Sequence, residues 1–375
     1  MPKSIPFPRR LSGRLAACAL GLALVITLAW PLGLSGHEPS AGDLRTVPLA
    51  DGLEQVVADS VGHRFDRRPV RDLAIESDGT VWAIQGRRIV ELGQPGSIAP
   101  RSQRWGDALR RLEVQPDGTL WALEDGGAAT RLVNGALEDR SQDQRGTGVS
   151  LAALPDGQLW RTVGLPDRQA SIVTTMDGTS WEELPGQGLE ELLAPGGARH
   201  TFAQSADGRV WLGVDRGPRG GGLAVLDDLG WTVVAGDPAE DGLRIRALEP
   251  ADDGSLWAIA DVGAPGADTR HVLVRVAGDQ LEILGQAEGM PQDESLAWTG
   301  WSPLEPSALA VDGTGRVWFS VGDSGLWRYD GVGFELVDVP GLRQGALDLE
   351  RAPDGSMWIV GRSGTLYRVD EAPDP

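Results

Sequence analysis

The octapeptide SDGTVWAI at Ser77–Ile84 returns six more times along the chain. The copies are PDGTLWAL at Pro116–Leu123, PDGQLWRT at Pro155–Thr162, ADGRVWLG at Ala206–Gly213, DDGSLWAI at Asp252–Ile259, GTGRVWFS at Gly313–Ser320 and PDGSMWIV at Pro353–Val360. Their turn glycines, Gly79, Gly118, Gly157, Gly208, Gly254, Gly315 and Gly355, lie 39, 39, 51, 46, 61 and 40 residues apart. A period of that size is that of propeller blades. Each copy has hairpin chemistry: Asp-Gly, or Thr314-Gly315 in the sixth, supplies the positive-φ position of a tight turn between two short runs of Val, Leu, Ile and Ala. Those runs are apolar on both faces, so both faces must be covered, as they are when blades stack. The tryptophan at a fixed offset (Trp82, Trp121, Trp160, Trp211, Trp257, Trp318, Trp358) is expected to wedge between neighbouring blades.

Working outward, the sixth copy shows a full four-stranded blade: SALAVD, RVWFSV, LWRYD and GFELVDV within Ser307–Val339. The seventh (Gly345–Glu371) has only three such runs before the chain stops. Leu44–Ala50, which has no sheet of its own, is expected to supply the missing outer strand and close the ring. The predicted fold is an all-β, seven-bladed β-propeller of four-stranded antiparallel blades over 44–375, closed by an N-terminal strand.

The unit "DG-x-φ-W-φ … GL-φ-R-φ-D-G", clearest at Asp312–Gly331 and Asp354–Asp370, resembles the two-component-regulator type of propeller repeat. The resemblance implies a sensory or recognition module, in some members fused to a kinase, although no kinase segment is present here. Propeller lyases and lactonases are more distantly similar, without a matching catalytic set.

Ahead of the repeats, residues 1–14 are basic and Leu15–Leu34 is an uncharged run of 20, long enough to span a bilayer. Residues 15–36 read as either a retained transmembrane helix or a signal peptide cut before Gly36, with 37–43 as linker. Either way the propeller lies outside the cytoplasm, membrane-anchored or secreted.

The chain carries 34 basic and 54 acidic residues, a net charge of −20. Because Lys3, Arg9, Arg10 and Arg14 precede the first acid, residues 37–375 carry −24, a surface that repels nucleic acid and anionic lipid. Lys3 is the only lysine, which removes lysine-dependent phosphate loops and Schiff-base chemistry, and the single Cys18 removes disulfides and CxxC sites. His37, His63, His200 and His271 show no metal-ligand spacing, and no GxSxG elbow occurs. No metal, cofactor or catalytic set is therefore expected, although 54 acids leave paired carboxylates open. Thr174–Trp181 resembles a shortened Asp-box turn and reads as the hairpin between the third and fourth strands of blade 3.

Loop length carries the functional signal. The long connections Gly52–Pro69, Asp215–Gly222, Asp261–His271 and Gly289–Pro306 all open on one face, opposite the tight Asp-Gly turns. Trp298 and Trp301 in the last of them break the repeat, and serve either as recognition anchors or as plugs between blades. Arg216, Arg219, Arg270 and the basic loop His63–Arg71 put positive charge on that face. These features point to a binding module for a protein partner or a carbohydrate or cell-wall ligand. A hydrolase or lyase with its site at the central channel mouth is the alternative.

Overall fold

A computed structural model describes residues 45–50, 53–58, 69–92, 109–140, 150–164, 169–235, 243–263, 270–284, 307–321 and 325–370, apart from positions 126, 135, 177, 196, 197 and 279. Seven antiparallel sheets follow one another in sequence, and the inner strand of each packs on the next, the seventh on the first. The result is a closed, all-β seven-bladed propeller.

The described strands of blade 1 are Val70–Ile75, Val81–Gln85 and Arg88–Glu91, those of blade 2 Leu109–Val114, Leu120–Glu124, Ala129–Val133 and Ala136–Asp139. Blade 3 runs Ser150–Ala153, Leu159–Val163, Ser171–Thr175 and Glu182–Leu184, and blade 4 Arg199–Gln204, Val210–Asp215, Gly221–Asp227 and Gly230–Ala235. Blade 5 comprises Arg244–Pro250, Leu256–Val262, Arg270–Ala277 and Gln280–Ile283, and blade 6 Ser307–Val311, Val317–Val321, Leu326–Tyr329 and Phe334–Leu336. Ala346–Arg351, Met357–Gly361 and Leu366–Val369 begin blade 7.

Ring closure differs from the sequence expectation. The strand beside Leu366–Val369 is Leu53–Ala58, and Arg45–Ala50 lies outside it as a fifth strand. Burial explains the choice: Leu53 and Val56 are 5% and 1% exposed, whereas Val47 and Leu49 are 45% and 42% exposed. The fourth place needs apolar side chains for both neighbouring blades, and Leu53 joins the core of blades 6 and 7 while Val56 joins that of blades 7 and 1. Part of the expected long connection Gly52–Pro69 is thus strand.

The core is not one mass but seven clusters, one in each gap between consecutive blades. Each repeat tryptophan enters the gap towards the following blade, Trp121 between blades 2 and 3, Trp160 between 3 and 4, and so on to Trp358 between 7 and 1. Six of them are buried, and Trp82 is half-buried against the cluster of blades 1 and 2. Thr174–Trp181 spans the third-to-fourth-strand hairpin of blade 3, Ile172 pairing with Leu184. Residues 15–36, the expected apolar helix, lie outside the described residues.

Candidate functional site at the channel and the long-loop face

In a propeller the free edge of every inner strand faces the central channel, where its N–H groups need acceptors. In three consecutive gaps the preceding blade supplies one. Asp348 accepts from Leu73 N at 2.7 Å, Asp72 from Leu112 N at 2.5 Å and Glu113 from Ala153 N at 3.2 Å. Carboxylates thereby stitch blades 7, 1, 2 and 3 together along the channel wall.

These side chains sit six (Asp72, Arg111, Asp348) or four (Glu113, Glu249, Glu350) residues before the turn aspartate of their blade. Ring closure brings them into one electrostatic group around Arg111, which bonds Glu113 at 2.6 Å and whose pKa is raised first by that carboxylate. Burial is the main cause of the upward shifts of the acids. Glu249 rises to about 8 and Asp348 to about 6. Burial and Asp348 together push Asp72 and Glu350 well above the ordinary carboxylate range.

At the long-loop end lies a second network, built on Asp261 at the end of the second strand of blade 5. Asp261, 1% exposed, accepts from Arg246 at 2.7 and 2.8 Å and stands 2.6 Å from His271 Nδ1. Burial alone would raise its pKa, but the bonds from His271 and Arg246 outweigh burial and lower it. Arg244 approaches the same carboxylate at 3.5 Å, and Arg246 lies 3.9 Å from Asp215 of blade 4. In the neighbouring gap, Ser150 Oγ, Thr162 Oγ1 and His200 Nδ1 follow one another at 3.0 Å steps. Arg199 adds a further cation, its pKa lowered by burial and then by Arg246, with Arg110 and Arg111 acting in the same sense. Arg199 lies opposite Asp215 in the ladder of blade 4, so Arg199, Arg244 and Arg246 surround the Asp215 and Asp261 carboxylates.

Arg216 precedes and Arg219 ends a single 3-10 turn, Gly217–Arg219, between the second and third strands of blade 4. Their guanidiniums donate to Glu191 O at 2.7 Å and Pro195 O at 3.1 Å, clamping the connection between blades 3 and 4. Burial and then Arg219 lower the pKa of Arg216. Arg270 begins the third strand of blade 5, opposite Val262. Trp298 and Trp301 lie outside the described residues, as do His63 and most of its basic loop. The Asp261 network and the channel acids escaped the sequence reading. The available signal was the polar Asp72, Arg111, Glu113, Glu249, Asp348 and Glu350 at register positions where other blades carry Ala, Ser or Thr. Among the described residues no group of three or more His, Cys, Asp or Glu side chains is arranged to hold a metal ion.

No family model matches the chain, and no curated protein does. Solved structures are similar in fold. The extracellular domain of a protein described as a one component system from B. thetaiotaomicron matches at TM-score 0.56 and 13% identity, over 82% of this chain and 39% of that one. The chain thus spans about two fifths of that regulator domain's length. Virginiamycin B lyase from Staphylococcus aureus matches at TM-score 0.58 and 12% identity, over 84% and 98% of the two chains. YCF48 bound to D1 peptide matches at TM-score 0.52 and 14% identity, over 90% and 100%. At these identities the likeness is one of fold: the repeats build the same propeller as extracellular regulator domains, a lyase and a peptide-binding protein.

Proposed function

We propose that the chain is an extracytoplasmic recognition module, anchored through residues 15–36 or released by their cleavage, that receives an anionic ligand or an acidic partner segment at the long-loop face. The observation that carries this reading is the excess of Arg199, Arg244 and Arg246 over the two carboxylates they surround, Asp215 and Asp261, with Arg216 and Arg219 on the adjoining turn, in a chain of net charge −20. Such a local reversal of sign steers anions to one place on an otherwise repelling surface. Extracellular regulator domains and a peptide-bound propeller among the similar folds support a binding role. Trp298 and Trp301 are the aromatic anchors of the same face.

A fluorescent hexaglutamate peptide titrated into the full chain tests this. Replacing Arg216 and Arg219 together by Ala is expected to weaken binding about tenfold or more, the loss of one or two charge-assisted contacts. The change Trp298→Ala with Trp301→Ala should weaken it at an almost unchanged thermal midpoint. Unaltered affinity in both variants overturns the site.

The second reading, a lyase or hydrolase, is favoured by one observation. Asp261 fixes His271 through Nδ1, an arrangement that orients an imidazole as a general base, and the His271 side chain is 24% exposed. Quinupristin, the compound seen with an inactive variant of the similar lyase, is the probe. Turnover lost in His271→Ala supports this reading, and no turnover by the intact chain removes it.

A further inference from the structure

The opposite face, where the Asp-Gly turns lie, differs from one gap between blades to the next. Between blades 3 and 4 the gap is filled by Leu154, Trp160, Phe202 and Trp231, with Trp160 5.5 Å from Phe202 and 6.2 Å from Trp231. At the matching positions between blades 5 and 6 the chain has Ala251, Trp257, Leu309 and Phe334. Three side chains are smaller, and a cavity of about 580 Å³ opens there, with Ala251 in its wall.

Its walls are aromatic and acidic. Trp257 and Tyr329 meet edge to face at 5.9 Å, and Asp252, Asp253, Glu282 and Asp312 surround them. The protein already seats one guanidinium in this setting: Arg275 lies over the Trp257 ring at 5.5 Å and bonds Asp253 at 2.8 Å. Glu282 is the cross-strand partner of Arg275, yet Arg275 turns to Asp253 instead. Glu282 is left exposed on the cavity wall without a hydrogen bond or ion pair among the described residues. Asp252 bonds Arg351 of blade 7 through one oxygen and is otherwise in solvent, its side chain 78% exposed.

We propose that this groove between blades 5 and 6 is a docking site for the arginine or lysine side chain of a basic polypeptide segment. The cation would extend the pattern that Arg275 begins, an aromatic surface beneath and a carboxylate beside it, with Glu282 as the unused acceptor. The cavity is of the size of a small-ligand pocket and easily admits one such side chain. The site is remote in chemistry from the arginine-rich long-loop face: one attracts anions, the other cations.

The test uses the full chain and an end-blocked tetra-arginine peptide at about 0.15 M salt, where diffuse attraction is screened. Glu282→Gln is expected to weaken binding about tenfold. Ala251→Leu, which copies Leu154 of blade 3, should abolish it by filling the groove with no change of charge. Glu183→Gln, an exposed carboxylate on the outer strand of blade 3, should leave it unchanged. Equal affinity of wild type and Glu282→Gln overturns the proposal, as does an equal loss in Glu183→Gln. If Ala251→Leu lowers the thermal midpoint, Glu282→Gln alone decides. Arg216→Ala with Arg219→Ala should bind the basic peptide as wild type does, so the two faces fail or stand separately.

Discussion

A single tryptophan per blade carries two sets of bonds that its spacing does not announce. Its indole N–H donates to the residue six positions earlier wherever that residue is polar: Glu76 for Trp82, Gln115 for Trp121, Ser205 for Trp211 and Asp312 for Trp318. In blades 5, 6 and 7 its face is covered by an arginine from the third strand, Arg275 on Trp257, Arg328 on Trp318 and Arg368 on Trp358, at 5.4–5.9 Å. That accounts for the Arg of the repeat motif in blades 5, 6 and 7, where its guanidinium lids the buried ring. Gly178 shows how tight this packing is. It has φ +69, and an added Cβ would lie 1.9 Å from Trp121 Cη2. Gly178→Ala is therefore expected to cost about 3 kcal/mol in chemical denaturation, from overpacking and left-handed strain together. A cost below about 0.5 kcal/mol would mean that the hairpin moves aside freely.

Among the elements, the closing strand was the one that sequence reasoning placed one step too far out. Both Leu44–Ala50 and the segment after it have strand composition, and Asp51-Gly52 between them is itself a hairpin signal. What separates them is which one can bury apolar side chains in two gaps at once, and that depends on blades 6, 7 and 1 being in place. Leu53→Ala should cost about 3 kcal/mol, as for a buried leucine, and Leu49→Ala less than about 0.5 kcal/mol. Urea unfolding of the two variants measures the difference; equal costs would put the closure in the wrong strand.

On the scale of the whole molecule, closure gathers acids from blades 1, 2, 5 and 7 around Arg111, and the pH response follows from their raised pKa values. Glu249 titrates near 4.5 when unfolded and at about 8 when folded, so between those values the folded chain holds a proton that the unfolded chain has lost. Stability from this group is full below 4.5 and falls as pH rises towards 8. Glu249→Gln, neutral throughout, is expected to raise the thermal midpoint at pH 8 by about 3 °C and to change it little under acidic conditions. A midpoint lowered equally at both pH values would show that the carboxyl's shape, not its charge, matters.

The sequence by itself determined the blade number, the turn chemistry and the tryptophan wedges, because all of these depend on short-range patterns. Arg216 and Arg219 were likewise legible as loop cations. Only the tertiary structure decided which strand closes the ring and which charges meet. Leu73 and Asp348 are 275 positions apart, and Asp72 and Arg111 acquire their surroundings from blades at the far end of the chain. A polar residue on an inner strand reads as ordinary surface until the circle closes. Its neighbours, and therefore its pKa and its chemistry, are set by closure rather than by local pattern.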